Sequence, residues 1–143
     1  MFKHILIPTD GSKLALKGVK AGVKLARALG ARVTALYVVP PFVEPLYGEA
    51  AIYVPAMSAR QYKQLGERDA RKALAAFGDG RAITKKVVFS RPAWDGILAA
   101  ARAGRCDAIV MASHGRGAFG GLLLGSETQR VLAHSKIPVL VVR

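Results

Sequence analysis

The residues best suited to binding chemistry lie in the last third of the chain. There Ala112-Ser113-His114-Gly115-Arg116-Gly117-Ala118-Phe119-Gly120-Gly121 leads through Leu122-Leu123-Leu124 to Gly125-Ser126-Glu127-Thr128. Five glycines fall within the eleven residues from Gly115 to Gly125. Glycine has no Cβ, so such a backbone can approach a ligand closely and turn several N–H groups toward it. A helix opening at Gly125-Ser126 adds the partial positive charge of its N-terminus, which favours phosphate. Arg116 supplies a full charge. The second candidate segment is Pro8-Thr9-Asp10-Gly11-Ser12, a turn cluster suited to capping a helix, with Asp10 a candidate N-cap.

These residues argue for holding a phosphate-bearing ligand and against fast chemistry on it. Gly115-Arg116-Gly117-Ala118-Phe119-Gly120 spells the dinucleotide fingerprint G-x-G-x-x-G, but its glycines do not run straight into a helix, and no acidic residue follows about 20 positions later. No Gly-Lys-Ser/Thr of a P-loop occurs. Ser113-His114 has the residue types of a nucleophile and base. Adjacent side chains are expected to point apart, however, and no third residue is identifiable to orient the histidine. The two loops hold one acid before Glu127, too few for a metal-binding carboxylate cluster or for the paired acids of a phospho-receiver domain.

The elements that must position these loops follow from apolar periodicity. Lys3 to Pro8 reads as a short apolar strand. Ala15, Val19, Gly22, Val23, Ala26 and Leu29 then form the stripe of a helix that Gly30 ends. Arg32–Val39 is a second strand, apolar on both faces as in a covered parallel sheet. Pro40-Pro41 opens a long loop to about Met57, placed to cover a site. A charged helix from about Ser58 to Phe77 is followed by a strand near Ala82–Phe89. A third helix opens at Arg91-Pro92-Ala93-Trp94, with Pro92 in its first turn. Asp107–Ala112 is the fourth strand, Ser126–Ala133 a short helix, and Ile137–Val142 the fifth strand. Strands alternating with helices predict one α/β domain over residues 1–143, an open five-stranded parallel sheet with helices on both faces, for which the Rossmann-like order 3-2-1-4-5 is expected. Ligands in such sheets bind beyond the strand carboxyl ends where the strand order reverses, which selects the loops after strands 1 and 4.

Composition bounds the function. The 143 residues are 52% hydrophobic and 22% charged, enough for a packed core. One cysteine, Cys106, permits no internal disulfide and is expected to pack at the start of strand 4. Met1 to Ile5 lacks signal-peptide features, and no apolar run approaches the ~20 residues that span a bilayer, so a soluble cytoplasmic protein without a membrane partner is expected. The balance of 22 Lys and Arg against 9 Asp and Glu, net +13, attracts polyanions without specifying which. Lys13, Lys17, Lys20, Lys24 and Arg27 share one helix face. His4 and His134 are expected to serve a strand face and a helix C-terminus, and Trp94 and Phe119 to pack or anchor loops.

The Pro8-Thr9-Asp10-Gly11-Ser12 start, the Leu36-Tyr37-Val38-Val39 strand, Ser113-His114-Gly115 spaced nine residues from Gly125-Ser126, and the terminal Pro138-Val139-Leu140-Val141-Val142 resemble the universal stress protein family over the whole chain. The ATP-binding branch of that family carries G-x-x-G, nine residues, G-S/T. Ala112 stands here where the first glycine falls, and keeps a backbone N–H. The resemblance implies ATP as ligand, with Mg²⁺ or Mn²⁺ bridging the phosphates and no metal ligands from the protein. It assigns ribose contact to Asp10 and adenine contact to the backbone at Val38 beside Thr9. It assigns phosphate contacts to the N–H groups near Gly115, Arg116, Gly125, Ser126 and Glu127, and a hydroxyl to Ser126. Pro8, Met111, Ala112, His114 and Thr128 complete the implied site. The resemblance further implies an ATP-dependent stress regulator with slow or no hydrolysis, and a homodimer through Pro138 to Val142. The competing readings are a weak ATPase, or a stress protein without nucleotide that acts through protein or nucleic-acid partners. Nucleic-acid binding would depend on Lys17, Lys20 and Lys24 and be sequence-independent.

Overall fold

The computed structural model describes residues 1–43, 57–114 and 124–143. In chain order the elements are β1 (His4–Pro8), α1 (Lys13–Leu29), β2 (Arg32–Val39), α2 (Ala59–Leu74), β3 (Ile83–Phe89), α3 (Ala93–Ala103), β4 (Ala108–Ala112), α4 (Ser126–His134) and β5 (Val139–Val142). All strand pairs are parallel and the order is β3-β2-β1-β4-β5, as expected.

Local sequence accounts for the element ends. Ser12 caps α1, its Oγ accepting from Ala15 N at 3.1 Å, so Asp10 is not the N-cap. Gly30 closes α1 at φ 64°, a left-handed conformation that glycine adopts without a Cβ clash. Ser58 and Gln61 form a capping box at the start of α2, which ends at Leu74 and passes into a single 3-10 turn, Ala75–Phe77. Pro92 lies one position outside α3, as its N-cap, and not in the first turn. The last strand starts at Val139, two residues later than the apolar run predicts, because Pro138 cannot donate to a ladder.

Two hydrophobic clusters sandwich the sheet. Ile5, Ile7, Val33, Ala35 and Val110 face α1 and α2, meeting Val19, Ala26, Ala70 and Leu74. Leu6, Leu36, Ile109 and Met111 face α3 and α4, meeting Ile97, Leu98 and Val131. The apolar stripe of α1 is buried, and Gly18 joins it, because its Cα lies against the backbone of Met111 and Ala112. Burial of a side chain such as Val19 stabilises by about 1.5–3 kcal/mol. Among the edge strands, β3 carries Lys85 and Lys86, whereas β5 leaves Leu140 49% exposed.

At the amino ends of the strands, His4 is buried and its Nε2 lies 2.8 Å from Thr34 Oγ1, while Nδ1 is buried and makes no hydrogen bond of good geometry among the described residues. Burial is the main cause of its lowered pKa, assisted by the Arg32 charge. Cys106 packs beside it, its thiol pushed up by burial. Asp107 accepts from Lys3 N at 2.8 Å and His4 N at 3.1 Å. Desolvation raises its pKa, but these backbone donors outweigh it and leave the carboxyl below its ordinary value.

Candidate functional site

Strand order reverses between β1 and β4, since β1 is followed by a crossover to β2 on one side while β4 pairs with its other edge. The carboxyl ends of β1, β2 and β4 and the start of α4 enclose a pocket of about 530 Å³ there, within the ordinary range for small-molecule sites. Its lining includes Pro8, Thr9, Asp10, Val38, Met111, Ala112, His114, Gly125, Ser126, Glu127 and Thr128. Every described residue expected at the site is therefore on one wall or another. Gly115 and Arg116, with Phe119, lie outside the described residues, as does most of the loop after Pro41.

Hydrogen bonds hold the walls in place. Thr9 N donates to Leu36 O at 2.9 Å, joining the end of β1 to β2, and Thr9 Oγ1 accepts from Gly11 N at 3.1 Å. Asp10, half-buried, accepts from Ser12 N at 2.9 Å, a turn that keeps its carboxylate at the pocket edge. Opposite, Ser113 N donates to Val142 O and Gly125 N donates to Ser113 O, both at 2.8 Å. Thr128 Oγ1 donates to Ala112 O at 3.1 Å, so this buried hydroxyl fastens α4 to β4 and is committed to the protein. A Cβ at Gly125 would stand 3.3 Å from both His114 Cα and Ser113 O, which favours glycine where α4 meets the loop.

Two helix N-termini converge on this pocket. Gly125 caps α4 without a side-chain bond, so the first amides of α4 remain for solvent or a ligand. Glu127 in that first turn reaches across to accept from Trp94 N, at the start of α3, at 2.6 Å. Its carboxylate thus caps α3, whose N-cap Pro92 offers no side-chain oxygen. Trp94 in turn stacks on His134, centroids 4.6 Å apart at 25°, a contact that the helix-terminus reading of His134 did not include.

The structure corrects one local expectation. Ser113 and His114 do not point apart: Ser113 Oγ lies 3.0 Å from His114 Nδ1. The loop leaves the strand after Ala112, so strand alternation no longer applies to the pair. Ser113 is nevertheless buried, and no described hydrogen bond orients the histidine from its other nitrogen.

Ala15, Tyr37, Pro40, Ala93 and Ile97 also line the pocket and were not singled out by sequence. Tyr37 and Pro40 flank Val38 at the carboxyl end of β2, so the end of that strand was an available signal. Ala93 and Ile97 approach from α3, whose placement over the site is a tertiary fact. With Val38, Met111 and Ala112 they add apolar lining to a pocket that Asp10, Ser126 and Glu127 also line. A wider hollow of about 830 Å³ runs along α2, lined among the described residues by Met57, Gln61, Gln64, Leu65, Glu67, Arg68 and Arg71. It includes no residue of β1 or β4. No group of three or more His, Cys, Asp or Glu is placed to hold a metal among the described residues.

The model of the universal stress protein family matches residues 1–143. The chain belongs to that family. A universal stress protein of Thermus aquaticus is 35% identical over 147 residues, covering all of both chains. One from Methanocaldococcus jannaschii is 32% identical over 144 residues, covering all of this chain and 83% of the relative. Among solved structures, the universal stress protein UspA of Lactobacillus plantarum superposes with a TM-score of 0.75 at 25% identity, over 99% of this chain and 97% of that one. Two more distant structures share the fold: one in complex with cAMP, at 23% identity and TM-score 0.63 over 99% of this chain and 97% of that one, and one from Archaeoglobus fulgidus in complex with dAMP, at 14% and 0.65 over 100% and 98%. No described helix is long and apolar enough to cross a membrane.

Proposed function

We propose that this universal stress protein is an ATP-binding stress-response regulator of the cytoplasm, with slow or no hydrolysis. The observation that carries the reading is the pocket at the strand-order reversal, whose lining combines apolar Val38, Ile97 and Met111 with the Asp10 carboxylate and the start of α4. An adenine nucleotide combines the matching parts: a flat, weakly polar base, a ribose diol and an anionic phosphate chain. The base lies against Val38 with Thr9 beside it, Asp10 accepts from the ribose hydroxyls, and the phosphates meet the amides of Ser126 and Glu127 and the Ser126 hydroxyl. Family relatives crystallised with cAMP and dAMP support an adenine nucleotide as the ligand class.

A Mg²⁺ or Mn²⁺ ion fits this donor set as a passenger on the phosphates, since the two carboxylates on the wall among the described residues are engaged, Glu127 by Trp94 N and Asp10 by Ser12 N. Bound there, the ion neutralises phosphate charge. The reading of slow turnover rests on the same inventory: His114, the described imidazole on the wall, has its Nδ1 taken up by the buried Ser113 Oγ at 3.0 Å. The exposed apolar edge of β5 supports a homodimer through Pro138 to Val142.

Titration calorimetry with Mg-ATP tests the reading. Wild-type protein is expected to bind one nucleotide per chain, and the double variant Asp10→Ala, Ser126→Ala to bind at least tenfold more weakly, ~1.4 kcal/mol. Equal affinity in both proteins would remove the pocket from the account.

A further inference from the structure

The excess of basic over acidic residues is greatest in one helical layer. α1 and α2 cover the same face of the sheet, α1 over β1 and β4 and α2 over β2, and share one core cluster. Together they hold ten Lys and Arg against two acids, which is eight of the net thirteen charges. α3 and α4, on the other face, hold two Lys and Arg against two acids. Within the basic layer, Lys13, Lys17, Lys20, Lys24 and Arg27 are all exposed, and none is ion-paired among the described residues. Leaving this row unpaired and self-repelling opposes folding, so its concentration on one layer calls for a polyanionic partner.

We propose that the outer surface of the α1–α2 layer docks the phosphate backbone of duplex nucleic acid without reading its sequence. The row from Lys13 to Arg27 spans 14 residues, about 21 Å of helix axis. Duplex presents one charge per ~1.7 Å, so about twelve phosphates lie along that length and several fall within reach of the row. α1 has no aromatic residue, and Tyr62 on α2 is half-buried with its hydroxyl bonded to Pro40 O at 2.8 Å. The layer therefore lacks the stacking platforms that single strands use. It also lacks the apolar wedge of a membrane-surface helix: among the described residues of α1 and α2, Leu14 is the one large hydrophobic side chain classed as exposed, at 37%.

The test measures anisotropy of a labelled mixed-sequence duplex with the full-length protein across a salt series. Five phosphate contacts give a log–log slope of about −4.5, so raising salt from about 50 to about 200 mM weakens binding roughly 500-fold. The triple variant Lys17→Gln, Lys20→Gln, Lys24→Gln leaves two contacts, a slope of about −1.8, and a loss of roughly 12-fold over the same range. The variant Arg102→Gln, Arg130→Gln, Lys136→Gln removes the same charge from elsewhere and is expected to keep the wild-type slope. Equal flattening in both variants would overturn the proposal, since net charge and not this layer would then be responsible. Absence of duplex binding, or preferential binding to phosphatidylserine vesicles over duplex, would overturn it too.

Discussion

Replacing Gly18 by alanine tests the link between the packing of α1 and the pocket. A Cβ at Gly18 would stand 2.8 Å from Ala112 N, 3.2 Å from Met111 C and 3.4 Å from Ala112 Cα, all backbone atoms. That backbone cannot retreat freely, because Ala112 O is held from the α4 side by Thr128 Oγ1 and Ser113 N is held by Val142 O. Overpacking of this kind costs about 2–3 kcal/mol. Alanine recovers ~1 kcal/mol of helix propensity at the same position. The net loss of about 1–2 kcal/mol corresponds to a Tm lower by about 3–6 °C in a domain of this size. Thermal unfolding by circular dichroism reads the shift, with Gly80→Ala, where an added Cβ meets nothing within 4 Å, as a control expected near wild type. Because the displaced peptide carries Ala112 at the pocket wall, weaker Mg-ATP binding is expected alongside the lower Tm. A Gly18→Ala protein as stable as wild type or more so would refute the reasoning, since the propensity gain would then exceed the contact cost.

Other outcomes follow from the same geometry. Glu127→Ala removes the acceptor for Trp94 N at the start of α3 and is expected to cost about 1 kcal/mol in chemical denaturation. His4 has its pKa lowered by burial, so the unfolded chain binds the proton more readily; stability is complete above about pH 6.5 and falls as pH drops from there toward the lower folded value. His4→Gln should flatten that part of a stability–pH curve. Leu140→Lys places a charge on the exposed edge of β5 and is expected to shift a dimer to monomer in sedimentation velocity without a change in circular dichroism.

The architecture was legible because periodicity and punctuation agree along the chain. Short apolar strands, helical stripes and the glycine at position 30 each mark one element, and alternating strands and helices imply a covered parallel sheet, although alternation alone does not select the order of its strands. The same pattern selects the loops after β1 and β4 as the ligand site, while the individual contacts of Val38, Met111 and Thr128 come only with the family resemblance. What escaped depended on contacts between distant segments. Ala93 and Ile97 join the pocket only once α3 is laid over β2, and Glu127 caps α3 only because two helix starts meet. The Ser113–His114 contact departs from the expectation that adjacent side chains point apart, because both residues lie beyond the end of β4. Gly18 was not singled out by sequence, and the approach of α1 to the backbone of Ala112 accounts for it.

The most direct test of the central claim is to denature the purified wild-type protein and identify any released small molecule by chromatography and mass, beside Gly125→Ala, Ser126→Ala protein prepared in parallel. The account predicts ATP or ADP near one per wild-type chain and its loss from the variant, whose added Cβ meets His114 and Ser113 at 3.3 Å. A wild-type protein that releases no nucleotide and also fails to bind added Mg-ATP would contradict it.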